Sequence, residues 1–357
     1  MVVKKITTSL MKFLILTLIS QGAFAEDVEI IGSIKQTLKP SNNSASLNSK
    51  SINSTKSEKV IQLLQVHLSD EAKIRLANQA KNALMPPPLS TLSLADKALL
   101  GMNNVPVLDQ GMHGTCVTFA VTGVLDAAIA KGDYISQLCN LQLGTYLEKH
   151  GYGVSGWDGS YATTVINQIE QYGIINKEKQ RALGCGGLTK YPTYSTHNPE
   201  LFMDPETYLS RNEFIFGNGV HWSDVYQKNN PTKTLDEVKQ ALLAGNRLVF
   251  ATLIPHTELG FVGAVGKHNT WFYQDTWVLT PAILTGLDQI EAAHEMIITG
   301  YDDNAVAVDN NGKEHKGLLV LRNSWGSGFG DWGDFYMSYD YFKLLAFDVQ
   351  RISASSI

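Results

Sequence analysis

Apolar residues recur at helical spacing in the first half of the chain and form strand-like runs in much of the second half. From Cys116, small and apolar side chains share one stripe until Gly132, and a similar stripe runs from Tyr161 to Tyr172. The later segments, such as 248–254, are short, apolar and rich in strand-forming residues. This pattern predicts an α+β fold in which a helical half precedes a β-rich half.

One helix is predicted within the β-rich half. Thr234 and Glu237 have the spacing of a capping box, in which each side chain bonds a backbone N–H of the first turn. Gly245 supplies the stop signal, and an apolar strand follows it. We therefore expect a helix that begins at Thr234 and ends before Gly245.

The N-terminal block has its own pattern. The segments 27–38 and 59–68 are strand-like and are joined by a Ser/Asn-rich connection, which predicts a hairpin. A helix over 71–84 follows, and the prolines at 86–88 end it and favour an extended crossing. Residues 26–90 contain too few large apolar side chains to fold robustly alone. We expect a pro-segment here, with a permanently attached accessory region as the alternative.

Composition and charge narrow the class of protein. The chain has 357 residues, of which 44% are hydrophobic, enough for a packed core in one large domain or two small ones. The formal net charge is −5. A protein that neutralises phosphates needs a basic surface, so we expect no nucleic-acid partner.

The first 25 residues have the layout of a secretory signal peptide. Three lysines precede an apolar run over 13–19, and Ala23-Phe24-Ala25 forms a small-residue cleavage site. The apolar run is shorter than the ~20 residues that span a bilayer, so we expect cleavage after Ala25 and no membrane anchor afterwards. The alternative is a retained anchor. Export makes the mature protein secreted or periplasmic.

The strongest chemical signal is the segment DQGMHGTCVTFA, which places Cys116 at the start of a helix just after a glycine-rich turn. The positive end of a helix favours a thiolate over a thiol. A nucleophile also needs a base and an oxyanion site. His294 opens a later apolar strand, and Asn323 ends another, shortly before Trp325.

Together these segments resemble the papain-like cysteine peptidases, of the secreted, bacterial type, over about residue 93 to the C-terminus. The resemblance implies a papain-like two-lobed α+β fold, with a helical lobe, a β-rich and barrel-like lobe, and the active-site cleft between them. It implies that Cys116 is the nucleophile and His294 the base. Asn323 would orient the imidazole, Gln110 would donate to the oxyanion, and Trp325 would cover the His294–Asn323 hydrogen bond.

The chain departs from this family at a disulfide. The family joins the position three before the nucleophile to the loop with the substrate-facing glycines, but here His113 and Trp157 occupy those positions. Both halves are missing together, so we expect a bridge that was dispensed with, and a structural role for His113. Cys139 and Cys185 are the two cysteines other than the nucleophile, and export favours a disulfide between them. The alternative is two buried thiols.

The resemblance also implies substrate-binding positions. Gly159 and Ser160 match the family's glycine pair, whose backbone pairs with an extended peptide. The residues around His294 that would line the pocket for the residue two before the cleaved bond are Ala292, Ala293 and Glu295. The alanines leave room for a bulky apolar side chain, whereas Glu295 favours a basic one. Ordinary packing is the alternative role for all of these positions.

The sequence therefore predicts residues 1–25 as signal peptide, 26–90 as an inhibitory pro-segment and 91–357 as the catalytic domain. The expected activity is that of an endopeptidase acting through a Cys116 thioester on peptide or protein substrates. No cofactor is expected, and no metal, because the histidines lack ligand partners at metal-site spacing. The alternatives are a catalytically silent papain-like binding protein and an acyl transferase with the same Cys-His-Asn residues.

Overall fold

The structure is a computed structural model that describes residues 27–38, 59–83, 94–255, 275–309 and 311–354. The predicted signal peptide, the Ser/Asn-rich connection and the proline run at 86–88 lie outside these residues. None of the helices within these five stretches is long and apolar enough to cross a membrane.

The N-terminal block folds as the predicted hairpin and helix. Strand β1 (Val28–Leu38) pairs antiparallel with β2 (Lys59–Leu68), and helix α1 (Asp70–Ala83) follows. The Ser69 hydroxyl caps α1 by accepting a hydrogen bond from the Ala72 N–H at 3.1 Å. The apolar side chains of β2 and α1 belong to the same hydrophobic cluster as the main sheet. The hairpin is therefore part of the core of the molecule.

The helical half follows the stripes seen in the sequence. Its helices are α2 (Cys116–Ile129), α3 (Gln137–Lys149), α4 (Ala162–Tyr172), α5 (Lys177–Leu183) and α6 (Pro205–Leu209). Cys139 in α3 and Cys185 after α5 form a disulfide. Leu138, Leu141 and Tyr208 pack around it in a second hydrophobic cluster. The region around α3 and α6 thus has a core of its own, whereas α2 and α4 pack into the main cluster.

The second half is mainly one sheet. Its strands are β3 (Lys97–Leu99), β4 (Val220–Asp224), β5 (Arg247–Ile254), β6 (Thr276–Trp277), β7 (Ala292–Val308), β8 (Glu314–Arg322), β9 (Asp334–Ser338) and β10 (Ala346–Ala354). Their order is β4-β10-β5-β7-β8-β9-β6, with β2 and β3 also paired to β7. The fold is therefore α+β, and among the strands described here the sheet is not closed into a barrel.

Helix α7 (Pro231–Leu243) begins earlier than its sequence pattern predicts. The Asn230 side chain caps it by accepting from the Lys233 N–H at 3.0 Å, and Pro231 supplies a preset first turn. The Thr234 hydroxyl instead accepts from the Gln227 N–H at 2.8 Å. The predicted capping box at Thr234 was therefore wrong. Two short helices complete the fold, α8 (Pro281–Thr285) and α9 (Tyr339–Leu345).

The geometry of β7 places the site. Helix α2 packs against β5, β7 and β10, so that its N-terminus lies near the start of β7. One edge of β7 pairs with β5, while the other edge pairs with β2 at Ala292 and Ala293 and with β8 from Ile297 onward. His294 lies in the interval between β2 and β8.

Candidate active site

Cys116 is the first residue of α2 and is completely buried. The backbone N–H groups of Glu295, which follows His294 on β7, of Val117 and of Cys116 itself favour the thiolate and act to lower its pKa. Burial nevertheless raises the pKa of the Cys116 thiol to about 12. The thiol is therefore neutral in this structure, unlike the thiolate predicted from its helix position, because lost hydration outweighs the helix N-terminus.

His294 and Asn323 form the predicted pair. The His294 Nε2 and Asn323 Oδ1 atoms are 2.8 Å apart, and Asn323 Oδ1 also accepts from the Ser324 N–H at 2.7 Å. An oxygen acceptor at Nε2 assigns the proton to that nitrogen and leaves the lone pair on Nδ1. That Nδ1 atom is buried and has no hydrogen-bond partner in the described part of the chain. Its lone pair can accept a proton, and no hydrogen bond joins it to the Cys116 thiol within the described residues.

Burial also controls the charge of the imidazole. It lowers the pKa of His294 to about 4, although the hydrogen bond to Asn323 favours the charged form. The Trp325 ring stacks on the imidazole, with centroids 4.7 Å apart and an interplanar angle of 24°. This stacking places Trp325 where it shields the His294–Asn323 bond from water. The Cys116 thiol and the His294 imidazole are thus both neutral and shielded from water in this structure.

The side-chain amide of Gln110 is hydrogen-bonded to Ser324, His113 and Gln62. Its Oε1 accepts from the Ser324 hydroxyl at 2.8 Å, which orients the Nε2 group as a donor. Nε2 donates to the His113 carbonyl at 2.9 Å and to the Gln62 carbonyl of β2 at 3.1 Å. The Gln62 carbonyl oxygen therefore already accepts a hydrogen bond from the amide that was predicted to bind an oxyanion.

Strand β2 runs along the whole site. Leu64 pairs in register with Ala293, and Gln65 with Ala292. At the other end, the Lys59 ammonium donates to Asp109 at 2.6 Å and to the Trp325 carbonyl at 2.8 Å. The strand thereby reaches Ala293, which precedes the buried His294, and Trp325, whose ring stacks on that imidazole.

Gly159, the first residue of the predicted glycine pair, lies against the hairpin of β1 and β2. Gly159 has φ +112°, and a Cβ there would lie 2.8 Å from Ile30 Cγ2 and 3.2 Å from Leu64 Cδ2. Ser160 beside it is buried. Gly159 is therefore required by both its backbone conformation and the close approach of the hairpin. Leu64 approaches Gly159 with its side chain and pairs with Ala293 through its strand.

Glu295 lies inside the molecule, directly after His294 on β7. It is 2% exposed, its Oε1 has no hydrogen-bond partner in the stretches that the structure covers, and it follows the buried His294. Burial, and then the nearby Asp348, raise its pKa well above the ordinary value. Burial therefore disfavours the charged form of the carboxyl group, which weakens its attraction for a basic side chain.

Three residues that contact the site were not singled out from the sequence. Ser324 could have been found, because it directly follows Asn323 and its hydroxyl reaches Gln110. Gln62 and Tyr191 carry no motif, and only the three-dimensional structure brings them to Gln110. Among the described residues no group of three His, Cys, Asp or Glu side chains could hold a metal ion.

Comparison with solved structures finds likeness at low sequence identity. Xylellain, a cysteine protease from Xylella fastidiosa, is 18% identical, with 74% of this chain and 88% of that chain covered and a TM-score of 0.45. The digestive procathepsin L 3 of the Tenebrio molitor larval midgut is 20% identical, with 80% and 79% covered and a TM-score of 0.45. The bromelain protease from Ananas comosus, in complex with the E64 inhibitor, is 16% identical, with 73% and 100% covered and a TM-score of 0.44. No protein-family model and no curated protein matches the chain.

Proposed function

We propose that this chain is the precursor of a secreted papain-like cysteine endopeptidase, in which residues 26–90 are an inhibitory pro-segment and residues 91–357 the catalytic domain. The observation that carries the proposal is the strand across the site. An extended backbone pairs with β7 next to the buried His294 and places a carbonyl oxygen 3.1 Å from Gln110 Nε2. A site that holds one extended peptide in this way is built to hold another.

The chemistry follows from the donors and acceptors of the site. Once β2 leaves and water returns, the Cys116 proton passes to His294 Nδ1, and the thiolate attacks the substrate carbonyl carbon. The oxyanion accepts hydrogen bonds from Gln110 Nε2 and the Cys116 N–H. Collapse breaks the C–N bond, and His294 gives its proton to the leaving amine. Water, deprotonated by His294, then cleaves the Cys116 thioester and releases the acid.

Asn323 supports the base throughout this sequence. Its Oδ1 holds Nε2–H, so the imidazole keeps the tautomer in which Nδ1 can accept the thiol proton. Trp325 keeps water away from that hydrogen bond through its stacked ring. Neither residue needs to contact the reacting atoms, and no cofactor takes part.

The substrate positions follow from what β2 now occupies. We assign Gly159 and Ser160 as backbone partners for a peptide, and Ala292 and Ala293 as the wall opposite them. Leu64 fills the space between these walls, which supports a preference for a bulky apolar side chain over a basic one. Glu295 contributes buried surface beneath this wall.

The direction of β2 supports its proposed inhibitory role. In a substrate, the residues before the cleaved bond would lie against Gly159 and Ala293. In β2, the residues that lie there come after Gln62, the residue whose carbonyl meets Gln110. The pro-segment therefore runs opposite to a substrate, and its carbonyl carbon is not presented for cleavage.

The function is tested by comparing the protein before and after removal of the segment over residues 26–90. The precursor from residue 26, with a cleavage site introduced within 86–90, is assayed on fluorogenic peptides before and after cleavage, beside Cys116→Ala. We expect hydrolysis only after cleavage, inhibition on adding back the released segment, and labelling of Cys116 by a thiol-directed epoxide. Full activity in Cys116→Ala would remove the proposal. Transfer of the acyl group to an added amine in place of hydrolysis would identify an acyl transferase. Binding of the peptide without turnover would identify a catalytically silent binding protein.

A further inference from the structure

Gln110 can stabilise an oxyanion only if the loop from residue 110 to residue 115 keeps its position. One Nε2 N–H donates to the His113 carbonyl within this loop, and the other donates to Gln62 of the departing strand. The second N–H is the one that becomes available to a substrate. A displacement of the loop by as little as 1 Å would misdirect it, and such displacements cost enzymes up to about 100-fold in rate.

The Tyr191 hydroxyl ties both ends of this loop together. It donates to the Gln110 carbonyl at 2.8 Å and lies 2.9 Å from the Thr115 hydroxyl, which directly precedes Cys116. Because the single tyrosine proton points at Gln110, the Thr115 hydroxyl is the donor in the second bond. Burial raises the pKa of Tyr191 well above its ordinary value, so the hydroxyl keeps its proton at any working pH.

The Tyr191 ring is fixed by aromatic neighbours from three other segments. It stacks on Trp157 with centroids 5.6 Å apart and an interplanar angle of 12°. It meets Phe119 of α2 edge-on at 5.0 Å and His113 edge-on at 5.7 Å. Such pairs prefer these offset and T-shaped arrangements, and each adds specific attraction beyond simple burial. The hydroxyl therefore has little freedom to move.

The same cluster lies where the family-like disulfide is missing. His113 and Trp157, the two positions that would have carried it, contact each other edge-on at 5.1 Å. The His113 ring is held on both sides, with Nδ1 at 2.6 Å from Asn198 Oδ1 and Nε2 at 2.9 Å from the Pro192 carbonyl. Tyr191 thus stands beside a non-covalent substitute for a covalent crosslink.

We propose that Tyr191 is a positioning residue for the oxyanion site, acting through the backbone of Gln110 and through Thr115. This inference rests on the proposed peptidase function, since only an acyl-transfer reaction uses that site. Tyr191 does not touch the thiol or the imidazole. Its removal should therefore weaken the stabilisation of the tetrahedral oxygen and leave the reactivity of Cys116 in place.

The test uses the mature enzyme with Tyr191→Phe, which keeps the ring and removes the hydroxyl. The matched control is Tyr208→Phe, a buried tyrosine of the helical half whose hydroxyl donates to the Gly173 carbonyl at 3.2 Å. Three readouts separate the roles: kcat and KM on a peptide amide, the inhibition constant of a peptide aldehyde, and the alkylation rate by iodoacetamide. The aldehyde adduct places an oxygen at the oxyanion position, whereas alkylation at a saturated carbon does not.

For Tyr191→Phe we expect kcat to fall roughly 10- to 100-fold and the aldehyde inhibition constant to rise by a similar factor. KM and the alkylation rate should stay within about twofold, and Tyr208→Phe should resemble wild type in all of them. If Tyr191→Phe does not fold, Thr115→Val removes the other bond to the same hydroxyl and should shift kcat and aldehyde binding in the same direction.

Two outcomes would overturn the inference. One is unchanged kcat and aldehyde binding in Tyr191→Phe, and the other is an alkylation rate that falls as far as kcat. Failure of the proposed function is seen separately, as a wild-type enzyme that is alkylated at Cys116 but hydrolyses no peptide. In that case the dissociation constant of the aldehyde, measured by its protection of Cys116 from alkylation in Tyr191→Phe and in wild type, still decides the role of Tyr191.

Discussion

Truncating Leu64 should open the precursor without touching the catalytic residues. The side chain is fully buried between Gly159 and Ala293 on the strand that covers the thiol. Replacing a buried leucine by alanine costs about 2–5 kcal/mol, depending on how far the cavity collapses. In the proposed function the residues of the site keep their packing when β2 leaves, so most of this cost falls on the covered form. A loss of about 3 kcal/mol raises the open population roughly 100-fold.

The assay is the alkylation rate of Cys116 by dilute iodoacetamide in the uncleaved precursor. Cys139 and Cys185 are joined in a disulfide, so Cys116 is the thiol that reacts. At low reagent concentration, the rate is the product of the opening equilibrium and the intrinsic thiol reactivity. We expect Leu64→Ala to react roughly 100-fold faster than wild type.

Ile31→Ala provides the matched control, since Ile31 is in the same hairpin but is 53% exposed. It should leave the alkylation rate within about twofold of wild type. Equal rates for Leu64→Ala and wild type would refute the reasoning, because the strand would not then control access to Cys116. Equal acceleration by Ile31→Ala would point to general loosening of the hairpin instead.

Three further outcomes follow from the site and its core. Asn323→Ala frees the His294 Nε2 and should lower kcat of the mature enzyme on the order of 100-fold with little change in KM, whereas an unchanged kcat would exclude its orienting role. In the precursor, burial lowers the pKa of His294 to about 4. The covered form therefore has its full stability at pH values above the ordinary pKa of about 6.5, and it loses stability as the pH falls from about 6.5 through 4. Urea unfolding of Cys116→Ala precursor should therefore show about 3 kcal/mol less stability at the acid end, and the loss should shrink in a His294→Gln background; equal losses would contradict the assignment. Replacing Cys139 and Cys185 by serine should cost roughly 3–4 kcal/mol for the 46-residue separation, measured by the same unfolding, and reduction of wild type should reproduce it.

Much of the fold could be predicted because its signals are local. The hairpin over β1 and β2 and the helices α1, α2 and α4 follow from alternation, helical stripes and stop residues. The start of α7 was missed because two candidate caps lie close together, and Asn230 with Pro231 competes better than Thr234. The order of strands in the sheet depends on pairings far apart in sequence, which no local pattern specifies.

The candidate site, like the fold, could be predicted only where its signals are local. Cys116, His294 and Asn323 stand in motifs, and the structure joins the last two by a hydrogen bond. The charge state of the thiol could not be predicted, since it depends on β2 lying over it, a contact between distant segments. Tyr191 was invisible for the same reason, because its hydrogen bond to Gln110 spans 81 positions in the sequence.

The most direct test of the account is the fate of the acyl group on Cys116. The uncovered enzyme is mixed with a peptide ester in water enriched in oxygen-18, quenched early, and examined by mass spectrometry. We predict a transient thioester on the tryptic peptide that contains Cys116, followed by a released acid that carries one heavy oxygen from water. An adduct on another residue, or turnover that continues undiminished in Cys116→Ala, would contradict the proposed peptidase.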